Sequence, residues 1–154
     1  MTPRARTNQL LYQAELLLDR APGDDEHAQA RRMAAEEGAL ALFELALESL
    51  VGELTEFTEQ APGADWRSLL LSRDLPLAEL ERLRSLAERP GSWLYRLIAC
   101  LDMLHSSDGA ARRSTGAAQG MIAVGGQDLA SELADCLQDA KQEIGALRLT
   151  NEEW

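Results

Sequence analysis

Glu44 and Glu48 stand four residues apart, so on a helix their carboxylates lie one turn apart and face the same way. Paired carboxylates inside a helical bundle are the raw material of a metal-carboxylate centre, which also draws on Glu-x-x-His pairs from the facing helices. The chain contains no Glu-x-x-His. Its nearest substitute is Asp102-x-x-His105, which occurs once where such a centre needs two. Glu37, Glu44, Glu48 and Glu59 also read together as one solvated acidic seam, and that is the simpler expectation. The two histidines, His27 and His105, each fall near an expected helix end, where surface or capping roles are more ordinary than catalysis. Walker, Rossmann and zinc-ribbon spacings are absent. The residues therefore assign no catalytic group, no metal ligand and no cofactor.

Arg20 and His27 are separated by six residues, a spacing that resembles the Arg-x(4–6)-His motif of the helical HEPN ribonucleases. There the motif lies on a late helix, whereas here it bridges Pro22-Gly23. The resemblance supplies the alternative reading, a HEPN-like ribonuclease or nucleotide-binding module with Arg20 and His27 as its site. A metal-carboxylate bundle is the second alternative. Gly125-Gly126-Gln127 is similar to the tripeptide of peptide-chain release factors, with nothing else in the chain to match, so its expected role is to lead into the last helix. Arg112-Arg113-Ser114-Thr115 reads as a solvated basic segment.

The elements that must position these side chains are helices. Of 154 residues, 28 are Leu and two are Val, a balance that favours helix over sheet. From Met33 to Phe57, steps of three and four meet Met33, Glu36, Leu40, Phe43, Leu47, Leu50, Leu54 and Phe57, a hydrophobic seam facing other helices. This predicts a long central helix over about 25–60. A first helix is expected from Thr7 or Asn8 to Arg20, ended by Pro22-Gly23. Asp65 is expected to cap a short third helix over 66–72, and Asp74 with Pro76 to open a fourth that closes before Pro90-Gly91. Ser92 is expected to cap a fifth helix with Leu94, Leu97, Ile98, Leu101 and Leu104 on its face. The last runs over about 128–149. Between the last two, 106–127 is small, polar and glycine-rich and reads as a flexible loop, with Met121–Val124 its apolar patch. The expectation is a single all-α domain over 1–154, a bundle of about five to six helices with one long central helix.

The formal net charge is −11, and 14 of the 15 strong bases are Arg. Such a balance suits neither a phosphate backbone nor an anionic membrane surface, and it favours protein partners. No apolar run is long enough to span a bilayer, and Met1–Gln9 is polar and basic, unlike a signal peptide. Cys100 and Cys136 read as two core thiols in a reducing compartment, so the expected location is cytoplasmic. Trp66 and Trp93 are expected to pack, and Trp154 to dock on the bundle.

Between Gly38 and Val51 the only charged residues are Glu44 and Glu48, so this helix is apolar nearly all round. Gly38 and Gly52, with Leu45 between them, share the side opposite the seam. Glycines there suggest close approach by another helix, from this chain or a second copy, and the expected interface of a homodimer is Gly38, Leu45 and Gly52. The reading is a non-enzymatic protein that works by association.

Several segments carry a likeness beyond pattern. Arg6-Thr7-Asn8-Gln9 with Tyr12, the run Glu37–Leu45, Pro90-Gly91-Ser92-Trp93-Leu94, and Ile122-Ala123-Val124 resemble a family of small gamma-proteobacterial proteins of unknown function. The resemblance implies a cytoplasmic helical protein and transfers no site residue.

Overall fold

The computed structural model describes residues 1–58, 64–113 and 128–152. Among them run six helices: α1 (Pro3–Asp19), α2 (Ala28–Leu54), α3 (Trp66–Leu71), α4 (Ala78–Glu88), α5 (Trp93–Leu104) and α6 (Leu129–Glu152). The fold is all-α. Helix α2 packs against α1, α3, α4, α5 and α6, which explains why its perimeter is apolar. Leu40, Phe43, Leu47 and Leu50 of α2 are buried with Leu10 and Ala14 of α1, Leu80 and Leu83 of α4, Leu94 and Leu97 of α5, and Leu133 and Leu137 of α6. The polar member of the seam, Glu36, is buried too and pairs with Arg32 at 2.7 Å.

Local chemistry sets the boundaries. Thr2 caps α1 by accepting the Ala5 N–H at 3.1 Å, with Pro3 in the first turn. Thr7, expected as the cap, lies inside the helix instead; it is buried, with its hydroxyl 3.0 Å from the Pro3 carbonyl and 2.9 Å from Ser49 Oγ. Helix α2 begins at Ala28, later than the expected Asp25, whose carboxylate pairs with Arg31 and does not cap the helix. It ends at Leu54, short of the expected Gln60, where the Thr55 hydroxyl bonds back to the Val51 carbonyl at 2.7 Å and competes with continuation. Leu54 is only half-buried and Phe57, the expected end of the seam, is 95% exposed.

Asp65 caps α3 through the Ser68 N–H at 2.7 Å, and the buried Arg84 of α4 donates to the Leu70 carbonyl at 2.9 Å at the other end of α3. A cation there satisfies carbonyls that the helix leaves open. Helix α4 starts at Ala78, later than Asp74-Pro76 suggested, and has no side-chain cap. Ser92 caps α5 through the Tyr95 N–H at 3.1 Å and also donates to the Leu86 carbonyl, which fixes the turn from α4. The cap delivers Trp93 onto Phe43 with ring centroids 6.2 Å apart and planes nearly parallel.

The segment after α5 departs from the expected flexible loop. Over 106–113 it is tied down onto α2: Glu37 Oε1 accepts the N–H groups of Ala110 at 2.8 Å and Ala111 at 3.2 Å, and Arg32 donates to the Arg112 carbonyl at 2.7 Å. Gly109 makes the turn at φ +73°, and a Cβ built there would lie 2.5 Å from Glu37 Oε1. Gly109→Ala is therefore expected to destabilise the protein by about 1–2 kcal/mol in a urea melt, combining backbone strain with displacement of the Glu37 carboxylate. Glu59, Pro62-Gly63, Ser114-Thr115, Met121–Val124, Gly125–Gln127 and Trp154 lie outside the described residues. No helix among the described residues is long and apolar enough to cross a membrane.

Candidate functional site

Three of the charged side chains that sequence spacing singled out, Glu44, Asp102 and His105, come together where α2, α3 and α5 meet. On α5, Asp102 and His105 are three residues apart, which puts both over one side of the helix end. His105 Nε2 lies 2.8 Å from Glu44 Oε2, and the other oxygen of Glu44 accepts from Trp66 Nε1 at 3.4 Å. Arg67, next to Trp66, donates to Asp102 Oδ1 at 2.8 Å, and its guanidinium sits 5.3 Å from the Trp66 ring centroid. These contacts tie three helices together. Glu44 is thus engaged instead of standing in a solvated seam, and Glu37 likewise holds the 106–113 segment; Glu48 alone of the described members is exposed. No group of three or more His, Cys, Asp or Glu among the described residues is placed to hold a metal ion.

Arg20 and His27 are not drawn into that cluster. Arg20 is the exposed C-cap of α1. His27 is the exposed N-cap residue of α2, 3.4 Å from its neighbour Glu26. No hydrogen bond joins Arg20 to His27 among the described residues.

Gly38, Leu45 and Gly52 divide between two environments. A Cβ at Gly38 would meet Leu17 Cδ1 at 3.1 Å, so this glycine serves the packing of α1 on α2. At Gly52 a Cβ would meet nothing within 4 Å among the described residues, and Leu45 is 44% exposed. Ala41 and Glu48 are exposed on the same side of the helix.

A polar node near the start of α1 was missed as a constellation. Arg148 of α6 grips Glu53 of α2 with two bonds of 2.8 and 2.9 Å and reaches Asn8 of α1 at 2.8 Å. Thr7 and Ser49 join it from α1 and α2. The sequence signal was the Arg6-Thr7-Asn8-Gln9 segment, whose two central residues lie in the node. Trp66 and Trp93 are buried, as their positions at helix starts suggested. Cys136 is buried and Cys100 half-buried, both unpaired. Burial pushes the Cys100 thiol up to about 11 and the Cys136 thiol up to about 12, leaving both poor nucleophiles at neutral pH.

The likeness of the short segments extends to the whole molecule: the profile of a family of unknown function, DUF6586, matches residues 1–154. The chain belongs to that family. No curated protein and no solved structure matches it. What this DUF6586 member does has to be argued from its own geometry.

Proposed function

We propose that the protein acts by association, pairing with a second copy of itself in the cytoplasm through the open side of α2, and that it is not an enzyme. The observation that carries the reading is Leu45, 44% exposed on the helix that every other described helix packs against. Ala41 and Gly52 are exposed beside it, and nothing among the described residues stands over Gly52. Small residues flanking a large apolar one let two helices cross closely with the leucine between them, and a two-fold contact uses the same patch on both copies. Glu48 at the edge of the patch suits a polar rim. The unpaired thiols fit a reducing compartment. Glu44 supports the non-enzymatic side of the reading, since both its oxygens are already engaged by His105 and Trp66.

Thiol chemistry gives the test. Because burial suppresses Cys100 and Cys136, a cysteine introduced on the surface is the thiol that reacts. Leu45→Cys, treated with a short bis-maleimide at low micromolar protein, is expected to yield a covalent dimer, whereas Tyr95→Cys, at an exposed position on α5, is not. Equal and slight cross-linking of the two variants would count against the α2 interface.

A further inference from the structure

The turn between α1 and α2 encloses a cleft of about 230 Å³. Leu17, Ala21, Pro22, Ala34 and Ala35 form its apolar walls, Arg20 and Arg31 are the charged residues among those lining it, and no acid is among them. This contrasts with the clefts beside Trp93 and between Leu18 and Ala134, whose walls carry Asp139 and Glu143, and Glu15, Asp19 and Asp135. The two arginines differ. Arg31 is committed to the fold: it donates to the Pro22 carbonyl at 2.8 Å, pairs with Asp25, and packs against Gly23, where a Cβ would lie 3.1 Å from its guanidinium. Arg20 makes no hydrogen bond or ion pair among the described residues and is exposed at the end of α1. Asp19 and the Asp24–Glu26 run flank this turn, Asp25 being paired with Arg31, so the uncommitted Arg20 is the cation beside the cleft that is left to receive an anion.

We propose that this cleft binds a small monocarboxylate with an apolar body. The body fills the space between Leu17, Pro22 and Ala35, and the carboxylate meets the Arg20 guanidinium at the mouth. The volume suits such a ligand: an engineered apolar cavity of ~150 Å³ takes up benzene, and this cleft exceeds that. A fixed Arg31 holds the wall in shape, so little ordering has to accompany binding, and the free fork of Arg20 matches the two oxygens of a carboxylate. The site is independent of the α2 interface, because Leu45 and Gly52 are not among its lining residues.

The test is a titration of the full chain with hexanoate, followed by amide chemical shifts, beside hexylammonium and hexan-1-ol as the cationic and neutral ligands of the same body. Hexanoate is expected to give saturable shifts confined to the turn, at Leu17, Arg20, Ala21, Ala34 and Ala35, with a millimolar Kd. Hexan-1-ol should bind more weakly, and hexylammonium should give no saturable shift. Arg20→Gln should weaken hexanoate about five- to tenfold, with the hexan-1-ol response unchanged. Ala35→Leu should abolish binding of both by filling the cleft, in a protein whose melting temperature is checked in parallel. Equal binding of hexanoate and hexylammonium, an Arg20→Gln variant that binds hexanoate as well as wild type, or no saturable shift up to about 20 mM would overturn the proposal.

Discussion

Leu47→Ala is expected to lower the unfolding free energy by about 2–5 kcal/mol, with Leu45→Ala on the same helix changing it by less than about 0.5 kcal/mol at protein concentrations too low for two copies to pair. The two leucines are two residues apart, so the helix turns them to different sides. Leu47 is buried in the core that α2 shares with its neighbours, while Leu45 faces solvent. Removing the Leu47 side chain loses its transfer free energy and leaves a hole bounded by elements that cannot all move inward. A total of ~5–15 kcal/mol is typical of a domain, so this one truncation takes a large share of it. Urea unfolding of both variants checks the pair. A Leu47→Ala loss below about 0.5 kcal/mol would remove α2 from the centre of the bundle.

Arg148→Ala should be the other large effect, a loss of about 2–4 kcal/mol. Its guanidinium is mostly buried, joins Glu53 in two bonds and reaches Asn8, so truncation leaves a largely buried carboxylate with, among the described residues, the long contact from Thr7 at 3.5 Å. Stranded charge, more than the lost attraction, dominates that cost. It follows that Glu53→Leu combined with Arg148→Met should recover most of the stability, because an apolar pair of similar volume replaces the ions. A double variant no more stable than Arg148→Ala would show that the node contributes through its attraction instead.

How far the sequence could be read depended on the kind of information each feature needs. The seam Leu40–Phe43–Leu47–Leu50 and the caps Asp65 and Ser92 were legible because each is set within a turn or two of chain. The end of α2 was not: Thr55 and Thr58 bond back to the carbonyls of Val51 and Thr55, and helical periodicity through Phe57 carries no trace of that competition. Among the acids, spacing put Glu37, Glu44 and Glu48 on one side of α2, but their separate fates depend on what α3, α5 and residues 106–113 bring to each. Only Glu48 is left to solvent. The Arg148–Glu53 pair joins residues 95 positions apart, beyond the reach of any local pattern. Gly38 and Gly52 looked equivalent in sequence, and they part only once α1 is laid along α2, with Leu17 over Gly38 and none of the described residues over Gly52.

Light scattering of the wild type and of Leu45→Glu, over a range of protein concentration, tests the association through α2 most directly. The chain mass is 16.9 kDa, so the wild type should approach twice that value as concentration rises into the micromolar range. Leu45→Glu should hold at one chain mass with its helical circular dichroism intact, since the residue is exposed and a carboxylate there is penalised only when a second copy covers it. A wild type that stays at 16.9 kDa into high micromolar concentration, or a Leu45→Glu variant that dimerises equally well, would contradict the account.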